Sequence, residues 1–287
     1  MITGATSGIG YETLKEMLRQ EATVIGTGRS TEKLARLSEE FSDYIKKKKL
    51  FVVQGDVSDN GNVLTLFKAI ESRLRSLDRP LDILFNVAGI VRSGYEENAD
   101  GNELTFATNH LAVYYLTGLL YPYLKKSQDP RVLVVSSLSH YRAFFDPKNI
   151  QSKRFYNVLR GYQRSKLYNV LYVKYVARFE KQIKFYAIDP GLVKTEIGDK
   201  HTKGIALRIW KIRKKGGVAP HIPAKHMADI ATQDRYLKDH GAYMKLGNAY
   251  PSSRISNHES KQRILWEYSK KRTQFAYPFD REIRGDD

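Results

Sequence analysis

The sequence predicts an α/β fold, a doubly wound parallel sheet covered by helices on both faces. Three observations carry this. Apolar, β-branched runs near 22–27, 50–54, 81–86, 131–136, 183–188 and 242–246 alternate with helix-compatible stretches, the order expected when helices cross over between parallel strands. A glycine-spaced segment, Thr3-Gly4-Ala5-Thr6-Ser7-Gly8-Ile9-Gly10, leads directly into a helical stripe. No Pro/Gly/Ser-rich linker, low-complexity tract or internal repeat interrupts the 287 residues, so one domain over 1–287 is expected.

The glycine segment is the first element with chemical content. Glycine tolerates unusual φ values and lets a pyrophosphate approach the N–H groups at a helix start. Gly4, Gly8 and Gly10 are spaced G-x-x-x-G-x-G, different from the G-x-G-x-x-G dinucleotide fingerprint. The flanks give the spacing meaning. Tyr11 to Gln20 places Leu14, Met17 and Leu18 on one helical stripe, and the run from Ala22 to Thr27 follows as a strand. Only Met1 and Ile2 precede Thr3, whereas a central strand normally has about five or six residues. The first strand is therefore expected to be cut short. Either the chain is a fragment or its start has been placed too late, and an upstream anchor or targeting segment would lie outside the sequence.

The end of the next strand selects between dinucleotides. A carboxylate there binds ribose hydroxyls, whereas a basic residue accommodates a 2′-phosphate. The chain reads Gly26-Thr27-Gly28-Arg29-Ser30, with no carboxylate before Glu32. Arg29 is the candidate phosphate ligand, since a planar guanidinium suits that group, and NADP(H) is expected over NAD(H). A solvated surface arginine is the competing reading.

Further along, the strand Arg131–Val135 runs into Ser136-Ser137, and Tyr162-Gln163-Arg164-Ser165-Lys166 follows. Tyr-x-x-x-Lys alone means little, because Tyr11/Lys15, Tyr44/Lys48 and Tyr121/Lys125 share it. Only Tyr162/Lys166 follows a strand that ends in a serine pair. One helical turn separates the two, so both point the same way. A cation there favours the phenolate and brings the phenol toward neutral pH, as acid/base work requires.

At this point the chain resembles the short-chain dehydrogenase/reductase family over essentially its whole length. Asp56-Val57 resembles the pair that holds the adenine ring. Asn86-Val87-Ala88-Gly89 resembles the Asn-Asn-Ala-Gly signature, with Val in second place. Asn109, in Thr108-Asn109-His110-Leu111, matches the helix asparagine of the proton relay. Pro190-Gly191, with Val193 and Thr195 following, matches the loop over the nicotinamide carboxamide. The resemblance implies a Rossmann-type sheet and a catalytic set of Asn109, Ser137, Tyr162 and Lys166. It implies cofactor contacts from Gly4, Ser7, Gly8, Ile9, Gly10, Arg29, Asp56, Val57, Asn86, Ala88, Gly89, Tyr162, Lys166, Pro190, Gly191, Val193 and Thr195. Ser137 and Tyr162 are 25 residues apart, similar to the retinol-dehydrogenase-like branch. Tyr162-x-x-Ser165-Lys166-Leu167-x-Asn169 and the ending Gly241-Ala242-Tyr243 through Ser269 are similar to that branch too. The implied activity is interconversion of an alcohol and a carbonyl on a lipophilic substrate, under a substrate lid at about 192–225. A cofactor-binding scaffold without turnover is the alternative.

Composition bounds the remainder. With no cysteine, disulfides and thiolate metal sites are excluded, and the seven histidines show no metal-ligand spacing. No signal peptide and no apolar run of about 18 residues is present, so an intracellular location is expected, in the cytoplasm or on the cytoplasmic face of a membrane. The run from Leu104 to Lys126 reads as one buried helix. The net charge of +17 brings a nucleic-acid binder into consideration, but no aromatic-basic module accompanies it. Lys46 to Lys49 read as a solvated face. The segment 205–215 mixes Ile205, Leu207, Ile209, Trp210 and Ile212 with cations, and suits either an interfacial helix on anionic lipid or a lid over an apolar pocket. A homo-oligomer is compatible with the sequence.

Overall fold

The computed structural model describes residues 1–194 and 216–280. Strands β1 (Val24–Gly28) and β2 (Leu50–Gln54) pair in parallel. Strands β3 (Ile83–Asn86), β4 (Arg131–Val135), β5 (Lys184–Asp189) and β6 (Tyr243–Lys245) continue the parallel sheet, and β7 (Asn248–Tyr250) closes it as an antiparallel edge. Ile2 joins the two groups, bridging Gly26 on one side and Phe85 on the other. It exchanges main-chain bonds with Ile25 and Thr27, while Met1 and Thr3 bond to β3. The chain thus turns to β1 and β2 on one side and to β3, β4 and β5 on the other. Such a reversal of strand order opens a crevice at the carboxyl ends of the strands.

The core has two layers, as alternation along the strands demands. Leu84, Val132 and Val134 face one layer with Leu66, Ile70, Tyr114 and Trp266. Phe85, Leu133 and Val135 face the other with Leu14, Leu18, Met227 and Ile230. Helix α1 (Gly8–Arg19) therefore packs beside the helix His221–Thr232 on one face. A cavity of about 270 Å³ beside Ile2, Val24 and Ile83 lies at the amino ends of the strands, away from the crevice.

The expected helix over 104–126 forms as one helical run from Leu104 to Leu124, with a π-helical turn inside it. Leu104–Phe106 and Ala112–Leu124 are α-helical, and Ala107–Leu111 between them is a π-turn carrying Asn109. Composition does not mark such a turn, a single-turn π-bulge of the kind found inside α-helices. The strand β7 was not foreseen, because its three residues are exposed and carry no apolar alternation. The expected lid at 192–225 ends in the helix that starts at His221. Val193 pairs with Val218, which holds the two ends of that segment together. Thr195 and the segment 205–215 lie outside the described residues.

Candidate active site and cofactor cleft

The glycine loop leaves the sheet at Ile2 and turns tightly. Gly4 and Gly8 have φ of 70° and 57°, values that favour glycine. Gly10 is required for contact: a Cβ there would lie 2.2 Å from the Gly4 carbonyl oxygen. Ser7 caps α1 in extended conformation without a side-chain bond, and no acidic residue occupies the first turn. The N–H groups at the helix start are thus available to an anion. Ile9 faces the core. Thr3 Oγ1 accepts from Val87 N and Ala88 N at 3.0 and 3.1 Å, which joins this loop to the turn after β3. Gly4 lies so near that turn that its Cβ would stand 3.0 Å from Ala88 Cα.

Arg29 follows β1 and is exposed, with Nη1 3.8 Å from Asp56 Oδ2. Asp56 Oδ1 accepts from Val57 N and Ser58 N at 2.7 and 3.1 Å. The two candidates for adenosine recognition are thus adjacent, and the guanidinium is held loosely in water. Asn86 is buried and donates to Thr117 Oγ1 at 3.1 Å. Gly191 follows β5 and Pro190, with φ of 76°, and its N–H donates to Asp189 Oδ1 at 3.0 Å.

Asn109 sits where the π-turn widens the helix. Its Oδ1 accepts from Ile90 N at 2.8 Å, and its Nδ2 donates to Ile90 O and to Ser165 Oγ, both at 3.0 Å. Ser165 Oγ bonds to Tyr162 O at 2.8 Å, so the asparagine reaches the helix Val158–Phe179 that carries Tyr162 and Lys166. Lys166 Nζ stands 5.6 Å from the centroid of the Tyr162 ring and donates to Val135 O at 3.1 Å. Burial pulls its pKa down from the ordinary 10.5 to about 8, because a low-dielectric surrounding disfavours the ammonium. A Cβ on Gly89 would lie 3.2 Å from Asn109 Oδ1 and 3.7 Å from Lys166 Nζ, so the turn after β3 borders the same space. Ser136 Oγ donates to Lys166 O at 2.8 Å, fixing the end of β4 against the helix. Ser137, next in the chain, accepts from Ser139 N at 3.1 Å.

The other three Tyr-x-x-x-Lys pairs lie elsewhere. Tyr11 OH donates to Glu40, Tyr121 OH donates to Glu180, and Lys125 pairs with Glu180 at 3.3 Å. Tyr44 belongs to the apolar packing around α1, and Lys48 is exposed.

The pattern of the short chain dehydrogenase family matches residues 1–147. The chain belongs to the short-chain dehydrogenase family. Human retinol dehydrogenase 11 is 33% identical over 199 residues, 69% of this chain and 61% of that protein. The match thus spans less than two thirds of that relative. This and its sister enzymes place the chain in the retinol-dehydrogenase-like branch. Among solved structures, an uncharacterized protein from Mycobacterium paratuberculosis is 26% identical, with a TM-score of 0.71 over 96% of this chain and 93% of that one. The NADPH-bound carbonyl reductase from chicken fatty liver shares the fold at 21% identity, with a TM-score of 0.65 over 88% of this chain and 97% of that one.

For a chain of this family, the residues missed in the sequence are those that support rather than display a motif. Thr3 joins the glycine loop to the turn after β3, Thr117 holds Asn86, and Ser165 links Asn109 to Tyr162. Ser165 stands in the motif Tyr162-x-x-Ser165-Lys166 read from the sequence, but its bond to Asn109, 56 residues away, is not marked there. Nothing local marks Thr117, whose partner is 31 residues away.

Proposed function

We propose that the chain is an NADP(H)-dependent oxidoreductase that interconverts an alcohol and a carbonyl on a lipophilic substrate. The observation that carries this reading is the convergence of Tyr162, Lys166, Asn109 and the Ser136-Ser137 strand end beside Gly89, on the crevice that starts at the glycine loop. The residues present fit a dinucleotide: a cradle that admits no side chain at Gly10, a helix start free of carboxylates, and a cation where an NAD site has an acid. When bound, the nicotinamide supplies or accepts a hydride.

The chain's own groups handle the proton. In carbonyl reduction, Tyr162 Oη gives its proton to the substrate oxygen, and in oxidation the phenolate takes it back. The Lys166 ammonium stabilises that phenolate. Ser137 Oγ orients the substrate oxygen, and Asn109 holds the helix in a widened turn beside Ser165. Support for a lipophilic substrate comes from exposed Leu138, Tyr141, Phe144, Leu192, Leu246 and Tyr250, on segments that follow β4, β5 and β6 at the carboxyl side. The mixed apolar and basic segment 205–215 supports a peripheral contact with anionic lipid. Among the described residues no helix is long and apolar enough to cross a membrane.

The test is NADPH or NADP+ turnover with a panel of lipophilic aldehydes, ketones and alcohols. Consumption matched by product supports the reading. Tight nucleotide binding with no turnover on any member of the panel replaces it with a non-catalytic scaffold.

A further inference from the structure

We infer that His140 is a positioning residue that holds the main chain of Ser137 and ties it, in a single imidazole tautomer, to the segment Pro251–Ser253. The inference rests on the oxidoreductase reading for the role of Ser137, but the tie itself stands on geometry. His140 is fully buried. Its Nε2 receives the Ser253 N–H at 3.0 Å, and its Nδ1 lies 2.8 Å from the Ser137 carbonyl oxygen. A main-chain N–H can only donate and a carbonyl can only accept. Nε2 must therefore carry the lone pair and Nδ1 the proton. The other neutral tautomer places two hydrogens face to face at Ser253 and two lone pairs at Ser137, and the imidazolium breaks the Ser253 contact. Burial favours the neutral ring.

The surroundings make the tie rigid. The ring packs on Tyr141 at 4.2 Å and Tyr243 at 4.6 Å between centroids. Tyr141 OH donates to Pro251 O, a second link between the turn Leu138–Arg142 and the same distant segment. Tyr243 OH donates to Asp189 Oδ2 at 2.7 Å, and the other oxygen of Asp189 accepts from Gly191 N. His140 thus connects Ser137, through Tyr243 and Asp189, with the turn at Gly191. Its main-chain N–H also bonds to Ser137 O at 3.1 Å, so the carbonyl is held twice by one residue. The serine hydroxyl, which must meet a substrate oxygen within a few tenths of an ångström, is oriented from behind by a contact 113 residues away in sequence.

Three readouts test this. In protein labelled with 15N in its imidazoles, the His140 signals, assigned by their loss in His140→Gln, should show a protonated Nδ1 and a bare Nε2 at neutral pH. An Nε2–H tautomer or an imidazolium overturns the proposal. Hydrogen exchange at the Ser253 amide should quicken at least about tenfold in His140→Ala, since its partner is gone; unchanged exchange overturns the tie. Turnover in His140→Ala should fall about tenfold or more with NADPH affinity unchanged, because misplacing a positioned group costs rate rather than cofactor binding. His140→Gln, which keeps a donor and an acceptor, should recover part of that loss, and an unchanged kcat in His140→Ala refutes the positioning role. Absence of turnover in the unaltered chain defeats the oxidoreductase reading instead, while the tautomer and exchange readouts still decide the tie.

Discussion

In the proposed mechanism Tyr162 and Lys166 divide one task between them: the phenol moves the proton, and the ammonium, 5.6 Å from its ring centroid, favours the phenolate. Tyr162→Phe removes the proton donor and leaves the ring in place. Turnover should drop by about 10²–10⁴, while NADPH affinity by fluorescence titration stays within about threefold, under 0.7 kcal/mol. Tyr11→Phe and Tyr121→Phe should keep most activity, because their hydroxyls serve Glu40 and Glu180. Substantial turnover in Tyr162→Phe removes the mechanism. Arg29 poses a separable question about the cofactor. Its guanidinium is exposed and only loosely paired with Asp56, so a 2′-phosphate can recruit it at little cost. Arg29→Asp puts a second carboxylate beside Asp56 and should weaken NADPH binding by about tenfold or more, the value of a charge-assisted bond, and reverse the preference toward NADH. Equal affinity of the unaltered chain for both cofactors defeats the assignment.

Between Ile2 and α1, a single turn has to leave the sheet, pass the Asn86–Gly89 turn and start a helix. Gly10 is where this geometry is least forgiving. A methyl group there would sit 2.2 Å from the Gly4 carbonyl, which is main chain and cannot swing aside. Gly10→Ala should lower the unfolding midpoint, with a cost of about 1–3 kcal/mol, and should weaken cofactor binding by more than tenfold if the displaced turn is the phosphate cradle. Normal affinity at reduced stability would assign the turn a purely structural part. The legibility of such elements depends on range. The glycine loop, the serine pair and Tyr162/Lys166 are contiguous or one turn apart, so their order could be read directly. The π-turn at Asn109 was not legible, since nothing in Ala107–Leu111 distinguishes a π-turn from an α-turn and the partners of Asn109, Ile90 and Ser165, lie far off in sequence. Nor were Thr3 to Ala88 or His140 to Ser253 legible, because each contact joins distant segments through the main chain of one partner, which carries no residue signature. The pairing of Arg29 with Asp56 was also invisible, although each was singled out separately.

At the scale of the whole molecule, three helical segments meet at one buried imidazole. His110, in the π-turn, bonds to Asn169 Oδ1 at 3.3 Å on the helix Val158–Phe179 and to Ser269 Oγ at 2.9 Å on the helix Glu259–Thr273. Phe106, Tyr168 and Tyr172 surround it. Among the described residues no carboxylate bonds to the ring, and burial pushes its pKa from the ordinary 6.5 down to about 3. Between these two values the unfolded chain binds a proton that the folded chain refuses, so stability rises with pH across the window and is lost as pH falls below about 6.5. His140 and His240 are lowered by burial as well and act with the same sign. The slope for one proton is about 1.36 kcal/mol per pH unit, so His110 alone should remove about 2 kcal/mol between pH 7 and pH 5. Urea unfolding at the two pH values measures this, comparing the unaltered chain with His110→Asn. The variant is expected to be less stable at pH 7, since it loses packing and one of two contacts, but to depend less on pH by close to one proton. That difference in slope separates titration of the buried ring from simple loss of packing. An equal slope in both proteins would mean that His110 is protonated in the folded state, and that the junction of the three helices tolerates a charge its surroundings give no means to stabilise.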